Sequence, residues 1–310
     1  MNLTDIEQKV FERLPGPPQN GSIKRPTIIW IVEWLSSRDQ RTGAQLHKWM
    51  QEHYTLGSKY FICRSKKEVI TTIERARHFA DSKTIPLLHI EAHGDEDGLE
   101  GPDGSGDLES LTWDELTIPL QQLNLHTRCN LVVVVAACVG FAAIKVFFKG
   151  PLAPAVALVG PASKIDPCSL LNGTKELYRR MADEKAHLSE MADSASREAR
   201  GVIFELEPFA LLAFESFAEY LICSQRPERI QIQFERIRRR LMKEALFTVE
   251  EVDWQMTHKY PPPLTLRKRY QQNIWDKMFM IDLFSENQKK FGVDWSVVID
   301  IVEQGLSDAY

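Results

Sequence analysis

Two apolar stretches of this chain end in residues that can exchange a proton. IPLLHIEAHG, Ile85 to Gly94, closes on His93-Gly94, and NLVVVVAACVGF, Asn130 to Phe141, turns from valines into Ala136-Ala137-Cys138-Val139-Gly140. A free thiol titrates near ~8.5 and is mostly protonated at neutral pH, so a neighbouring imidazole that takes its proton makes it a nucleophile. Gly94, with no Cβ, lets the main chain approach a substrate carbonyl, and the small Ala136 and Ala137 clear space beside the sulfur. The bland alternative is a small core cysteine and an ordinary turn histidine, each common when met alone.

The elements around these residues decide whether they can meet. Strands are predicted at Thr27 to Leu35, Tyr60 to Cys63, Ile85 to Gly94, Cys129 to Cys138 and in PAVALVGPA, with helices over Arg38 to Tyr54, Lys66 to Ser82, the segment capped near Thr112, and Val139 to Phe148. Strands alternating with amphipathic helices imply right-handed crossovers and an α/β fold, a mostly parallel sheet sandwiched by helices. In such sheets ligands bind beyond the carboxyl ends of the strands. His93 and Cys138 are 138 − 93 = 45 residues apart, the length of one loop, one helix and one strand. If their strands are neighbours, both side chains reach one crevice. A helix opening at Cys138 would also favour the thiolate through its unpaired amides.

His-Gly after one strand and small-small-Cys-x-Gly after the next resembles the signature of caspase-fold cysteine peptidases, the group of caspases, metacaspases, separases and bacterial CHAT-type proteases. The match is HIEAHGDEDGL with LVVVVAACVGF, extended by AVALVGPASKI and LLNGTKELY, and spans about residues 25 to 182. The Trp113-to-Leu123 helix between the two halves, and a helix ending in Leu-Tyr after the fifth strand, make it look most like the CHAT-type proteins. The resemblance implies a caspase-like fold and a cysteine endopeptidase with His93 as general base, Cys138 as nucleophile, and the backbone amides of Gly94 and Cys138 as oxyanion hole. It implies no cofactor and a protein substrate, with a gasdermin-like companion in bacterial defence or regulated death as one candidate, and an activating protein or ligand. Where caspases carry Gln-Ala-Cys, this chain has Ala136-Ala137-Cys138, so a preference for aspartate does not carry over.

Other constellations are weaker. His89 and His93 on one strand are about 13 Å apart at roughly 3.3 Å per residue, too far to share a metal. The acidic stretch from Asp95 through Asp97 to Glu109 invites a substrate-contacting loop or a calcium loop, but it lacks EF-hand spacing and reads best as a solvated hairpin. There is no P-loop and no GxSxG elbow. The run Arg236 to Lys243 reads as the wet face of a helix.

The composition sets the boundaries. The 310 residues are 44% hydrophobic and 26% charged, as in a globular protein, and the net charge of −5 argues against nucleic acid as partner. The longest apolar run, Leu131 to Phe148, is broken at Cys138-Val139-Gly140, so no membrane span is expected. The five scattered cysteines, with no basic and apolar leader in MNLTDIEQKVFERL, point to reduced thiols in the cytoplasm. The Pro/Gly-rich LPGPPQNGSIKRP suggests a lead-in segment over 1–24, a peptidase core over 25–182, and a mainly helical 183–310 that adds an edge strand from GVIFELEPF. Trp254, Trp275 and Trp295 there suit core packing better than a partner surface. Two rival classes stay open: the same fold as an inactive scaffold or regulatory module with Cys138 merely packed, and a nucleotide- or phosphate-responsive regulator.

Overall fold

The computed structural model describes residues 3–18, 24–54, 56–81, 83–182, 188–200, 202–226, 229 and 263–307. They fall into two compact units, Ser22–Phe209, and Met1–Gly21 together with Ala210–Tyr310. The basic run Arg236 to Lys243 and Trp254 lie outside the described residues.

In the Ser22–Phe209 unit the chain runs β1 (Ile28–Trp34), α1 (Thr42–His53), β2 (Gly57–Ile62), α2 (Lys66–Phe79), β3 (Pro86–Gly94), β4 (Gly98–Pro102), β5 (Leu108–Thr112), α3 (Trp113–His126) and β6 (Val132–Ala136). A 3-10 helix, Gly140–Phe148, leads to β7 (Ala157–Pro161), α4 (Pro167–Ala182), α5 (Leu188–Glu198) and β8 (Phe204–Pro208). The main sheet has the order β2-β1-β3-β6-β7-β8. Every pair in it is parallel except β7 with the edge strand β8. This is a mostly parallel α/β sheet flanked by helices, with β8 closing one edge.

Alternation along β1 shows which helices cover which face. Glu33 accepts from the Ala44 amide at 3.1 Å and from Arg41, so the odd positions face α1. Trp30 stacks on Phe61 and meets Phe79 of α2, so the even positions face the other layer. β6 is buried at all its positions, as a strand covered on both faces must be.

Two boundaries differ from the sequence expectation. The first helix begins at Thr42 rather than Arg38, because the buried Glu33 carboxylate accepts the Ala44 amide and caps the helix there. Residues 36–41 thereby become a loop. The segment after Cys138 is a 3-10 helix opening at Gly140, with Val139 at φ 55°, ψ 26° before it. Cys138 therefore does not open an α-helix, and the expected help from α-helical amides is replaced by a tight turn. The acidic stretch forms a hairpin, as its sequence suggests: antiparallel β4–β5, with Leu99 and Leu111 buried and its charges outward. Asp95 builds its first turn by accepting the Asp97 and Gly98 amides at 2.8 and 3.0 Å.

A β-branched residue in the left-handed region is strained by about 1–2 kcal/mol. Relieving that strain at Val139 with glycine, offset by about 0.5–1 kcal/mol of lost chain entropy, gives the Val139→Gly variant a small expected rise in thermal midpoint. A fall of several degrees in a calorimetric scan would show instead that the valine side chain holds the turn.

The Met1–Gly21 with Ala210–Tyr310 unit is helical where described. Thr4 and Glu7 form a capping box at the start of Asp5–Phe11, and Glu7 also accepts from Arg226 at 2.6 and 2.7 Å. Trp275 and Trp295 are fully buried against each other, with Phe214 beside both. These tryptophans are core, not an exposed surface.

Candidate active site

β1, β3 and β6 run in parallel, so their carboxyl ends share one rim of the sheet. On β3 and β6, Glu91 is in register with Ala136. His93 and Cys138 each lie two residues further on (93 − 91 = 2; 138 − 136 = 2), His93 near the end of β3 and Cys138 in the turn after β6. They line one cavity of about 100 Å³, together with Leu35, Asp39, Thr42, Ile165 and Leu170 among others. Asp95 and Asp97 are not part of that lining; they sit on the exposed turn beyond it.

Asp39 is the residue that sequence reasoning missed. Its Oδ2 lies 3.1 Å from His93 Nε2 and accepts the Ser36 amide at 2.8 Å. That pairing puts the imidazole hydrogen on Nε2 and leaves Nδ1 as the proton acceptor. Burial alone would push the Asp39 pKa up; the bonds from Ser36 and the charge of His93 outweigh it and hold it below the usual carboxylate value. A carboxyl with a depressed folded pKa adds stability above its unfolded value near 3.8, lost as pH falls through the folded one. Asp39 is thus ionised wherever His93 needs an anionic partner. The available signal was a carboxylate just past the end of the first strand, hidden because the segment read as helix from Arg38.

The loop that carries Asp39 is held from below. Glu33 and Glu91 are register neighbours on β1 and β3, both buried. Glu33 takes Arg41, the Tyr60 hydroxyl at 2.9 Å and the Ala44 amide. Glu91 takes the Thr42 hydroxyl and His89 Nε2 at 2.9 Å, and His89 Nδ1 meets the Tyr178 hydroxyl at 2.7 Å. Burial and the Glu91 charge raise the Tyr178 pKa well above its ordinary value, so the phenol keeps its hydrogen for His89. His89 is therefore a fully bonded core residue that anchors α4 to the sheet.

On the other side, the Cys138 thiol points to the Ile165 carbonyl at 3.6 Å. Val139 donates its amide to Ser163 at 3.1 Å and Gly140 to Ala137 at 3.1 Å, while the Cys138 amide has no partner among the described residues. That N–H is available to a developing oxyanion. The contrast with the buried thiols is one of access. Cys63 is buried, and burial pushes its pKa to about 11; Cys138 is half-buried at the cavity wall.

Gly94 abuts this turn. A Cβ added there would lie 2.9 Å from Ala137 Cβ and 2.9 Å from the Cys138 carbonyl oxygen. Those contacts are too close to keep, so the strand end or the cysteine turn has to move. A displacement near 1 Å at reacting groups costs on the order of 100-fold. For Gly94→Ala we expect that loss in the alkylation rate of Cys138, together with an overpacking cost of about 1–3 kcal/mol in the melting curve; an unchanged rate would mean that this approach does not matter.

No family model matches this chain, and no curated protein matches it. Among solved structures, a complex of Porphyromonas gingivalis RgpB pro- and mature domains is similar at 12% identity with a TM-score of 0.37, covering 66% of this chain and 52% of that one. The Arg-specific cysteine proteinase gingipain R (RgpB) is similar at 9% identity with a TM-score of 0.39, covering 66% of this chain and 51% of that one. The chain thus matches about half the length of these proteinases. At this distance they add nothing to the geometry above.

Proposed function

We propose that the Ser22–Phe209 unit is a cysteine endopeptidase working through a thioester. His93 Nδ1 takes the Cys138 proton, and the thiolate adds to the scissile carbonyl. The resulting oxyanion faces the backbone N–H groups of Gly94 and Cys138. Collapse expels the amine, which receives the proton from His93, and leaves a thioester on Cys138. Water, deprotonated by His93, hydrolyses that thioester and frees the thiol. Asp39 is a positioning residue that orients the imidazole and steadies its charged form.

The observation that carries the reading is a single cavity lined by a thiol, an imidazole and the carboxylate against that imidazole. His93 is half-exposed, which suits a group that must meet substrate and is unusual for one serving only to pack. The resemblance to CHAT-type proteases supports a cytoplasmic defence role. The substrate would be a protein companion, such as a gasdermin-like pore former, activated by loss of an inhibitory segment. A second protein or ligand would switch the enzyme on.

The test is to incubate the wild-type protein and Cys138→Ala with a proteome and with candidate companion proteins, and to map new amino termini. Termini unique to wild type are expected. Identical termini in both samples would remove the peptidase and leave a scaffold.

A further inference from the structure

The cavity beside Cys138 has dimensions and a charge pattern that restrict what enters it. Resting on the peptidase reading, we infer that it receives the side chain of the residue whose carbonyl is attacked, and that it selects a small neutral aliphatic one of the valine, leucine or methionine kind. Three observations support this.

The first is size. The cavity holds about 100 Å³. At roughly 30 Å³ per water-sized group, that is room for three or four heavy atoms. Valine, leucine and methionine side chains fill it; phenylalanine and arginine, with seven heavy atoms each, would overfill it and reach into solvent.

The second is the wall. Leu35, Ala136, Ile165, Pro167 and Leu170 supply an apolar surface, and among the described residues no lysine or arginine is in the lining. An acidic side chain would meet no countercharge there, and the carboxylate of Asp39 would repel it.

The third is that most of the polar groups present are already engaged, and the remaining one, Gln40, is neutral. Asp39 holds His93 and the Ser36 amide, Thr42 donates to Glu91, and the Cys138 thiol points to the Ile165 carbonyl. A basic side chain drawn to Asp39 would compete with His93 for that carboxylate and weaken the base it needs. A buried charge without a partner is costly, so charged side chains of either sign are excluded.

The test uses peptidyl acyloxymethyl ketones that differ only in the residue next to the electrophile: leucine, valine, alanine, phenylalanine, aspartate or arginine. The thiolate displaces the carboxylate leaving group and forms a thioether, and peptide mapping reads the rate of labelling at Cys138. Leucine or valine is expected to label fastest, with aspartate and arginine at least ~100-fold slower and phenylalanine ~10-fold slower. Leu170→Ala should bring phenylalanine up about 10-fold relative to leucine, and Leu170→Phe should turn the preference towards alanine. Iodoacetamide labelling of Cys138 checks that each variant keeps its site.

Faster labelling by the aspartate or arginine probe, or an order unmoved by both Leu170 variants, overturns the inference and leaves the peptidase standing. The outcome in which no peptidyl probe labels Cys138, and iodoacetamide labels it no faster than the exposed Cys168, overturns the peptidase reading itself and this inference with it.

Discussion

Replacing His93 by alanine should slow both peptide cleavage and Cys138 alkylation at neutral pH by about 1,000-fold, the scale of a lost general base. The imidazole is half-exposed, so its removal leaves little uncompensated in the core, and the urea midpoint should stay within experimental error. Asp39→Asn should cost less, on the order of 10-fold to 100-fold in turnover, because the amide can still hold the Ser36 loop while the negative partner of the imidazole is gone. The two variants also differ with pH. Wild type should hold its alkylation rate to lower pH than Asp39→Asn, since the Asp39 carboxylate, held below its usual value, is the anion that steadies a charged imidazole beside the thiolate. Alkylation rates at mapped Cys138, taken from pH 5 to 9, measure this without a known substrate. Equal rates for wild type and His93→Ala across that range would show that the thiol is not activated.

The second large effect is on stability. Trp34 closes β1 with no exposed surface, and its ring lies flat on Gly101 of the β4–β5 hairpin, where an added Cβ would come within 2.4 Å of it. Its Nε1–H donates to the Pro102 carbonyl at 2.8 Å. One residue thus supplies both the apolar seat and the polar latch for the hairpin that follows His93-Gly94. Trp34→Ala should cost about 3–5 kcal/mol, measured by urea unfolding with the slope held fixed. Trp34→Phe keeps much of the area and loses the latch, at an expected cost of about 1–2 kcal/mol. Near-equal costs for the two variants would mean that the hydrogen bond, lost in both, and not the apolar area, seats the hairpin. Because the hairpin is continuous with β3, Trp34→Ala should also slow Cys138 alkylation more than its stability loss alone predicts.

Several parts of this molecule were legible from residue order alone. Val132 to Val135 could only be a strand buried on both faces, and Thr112 with Glu115 marked the start of the next helix; both are properties of neighbours in the chain. The same local logic put His93-Gly94 and Ala137-Cys138 at strand ends, and GVIFELEPF at an edge, where β8 pairs antiparallel with β7. Boundaries failed where a distant residue intervened. The first helix starts at Thr42 because Glu33, eleven residues before Ala44, caps it from inside the sheet. No periodicity within the segment encodes that.

The site shows the same division. Residue types and strand ends pick out His93 and Cys138, since the alternation of strands with helices already requires parallel strands whose ends lie on one side. That they line one cavity depends on the register of Glu91 with Ala136, and that Asp39 meets His93 depends on how loop 36–41 is pinned over buried Glu33 and Glu91. The cavity wall gathers Leu35, Ala136, Ile165 and Leu170 from four separate segments. Local order determines what each segment becomes; only packing, which spends the chain's entropy on contacts between remote residues, decides which side chains share a space.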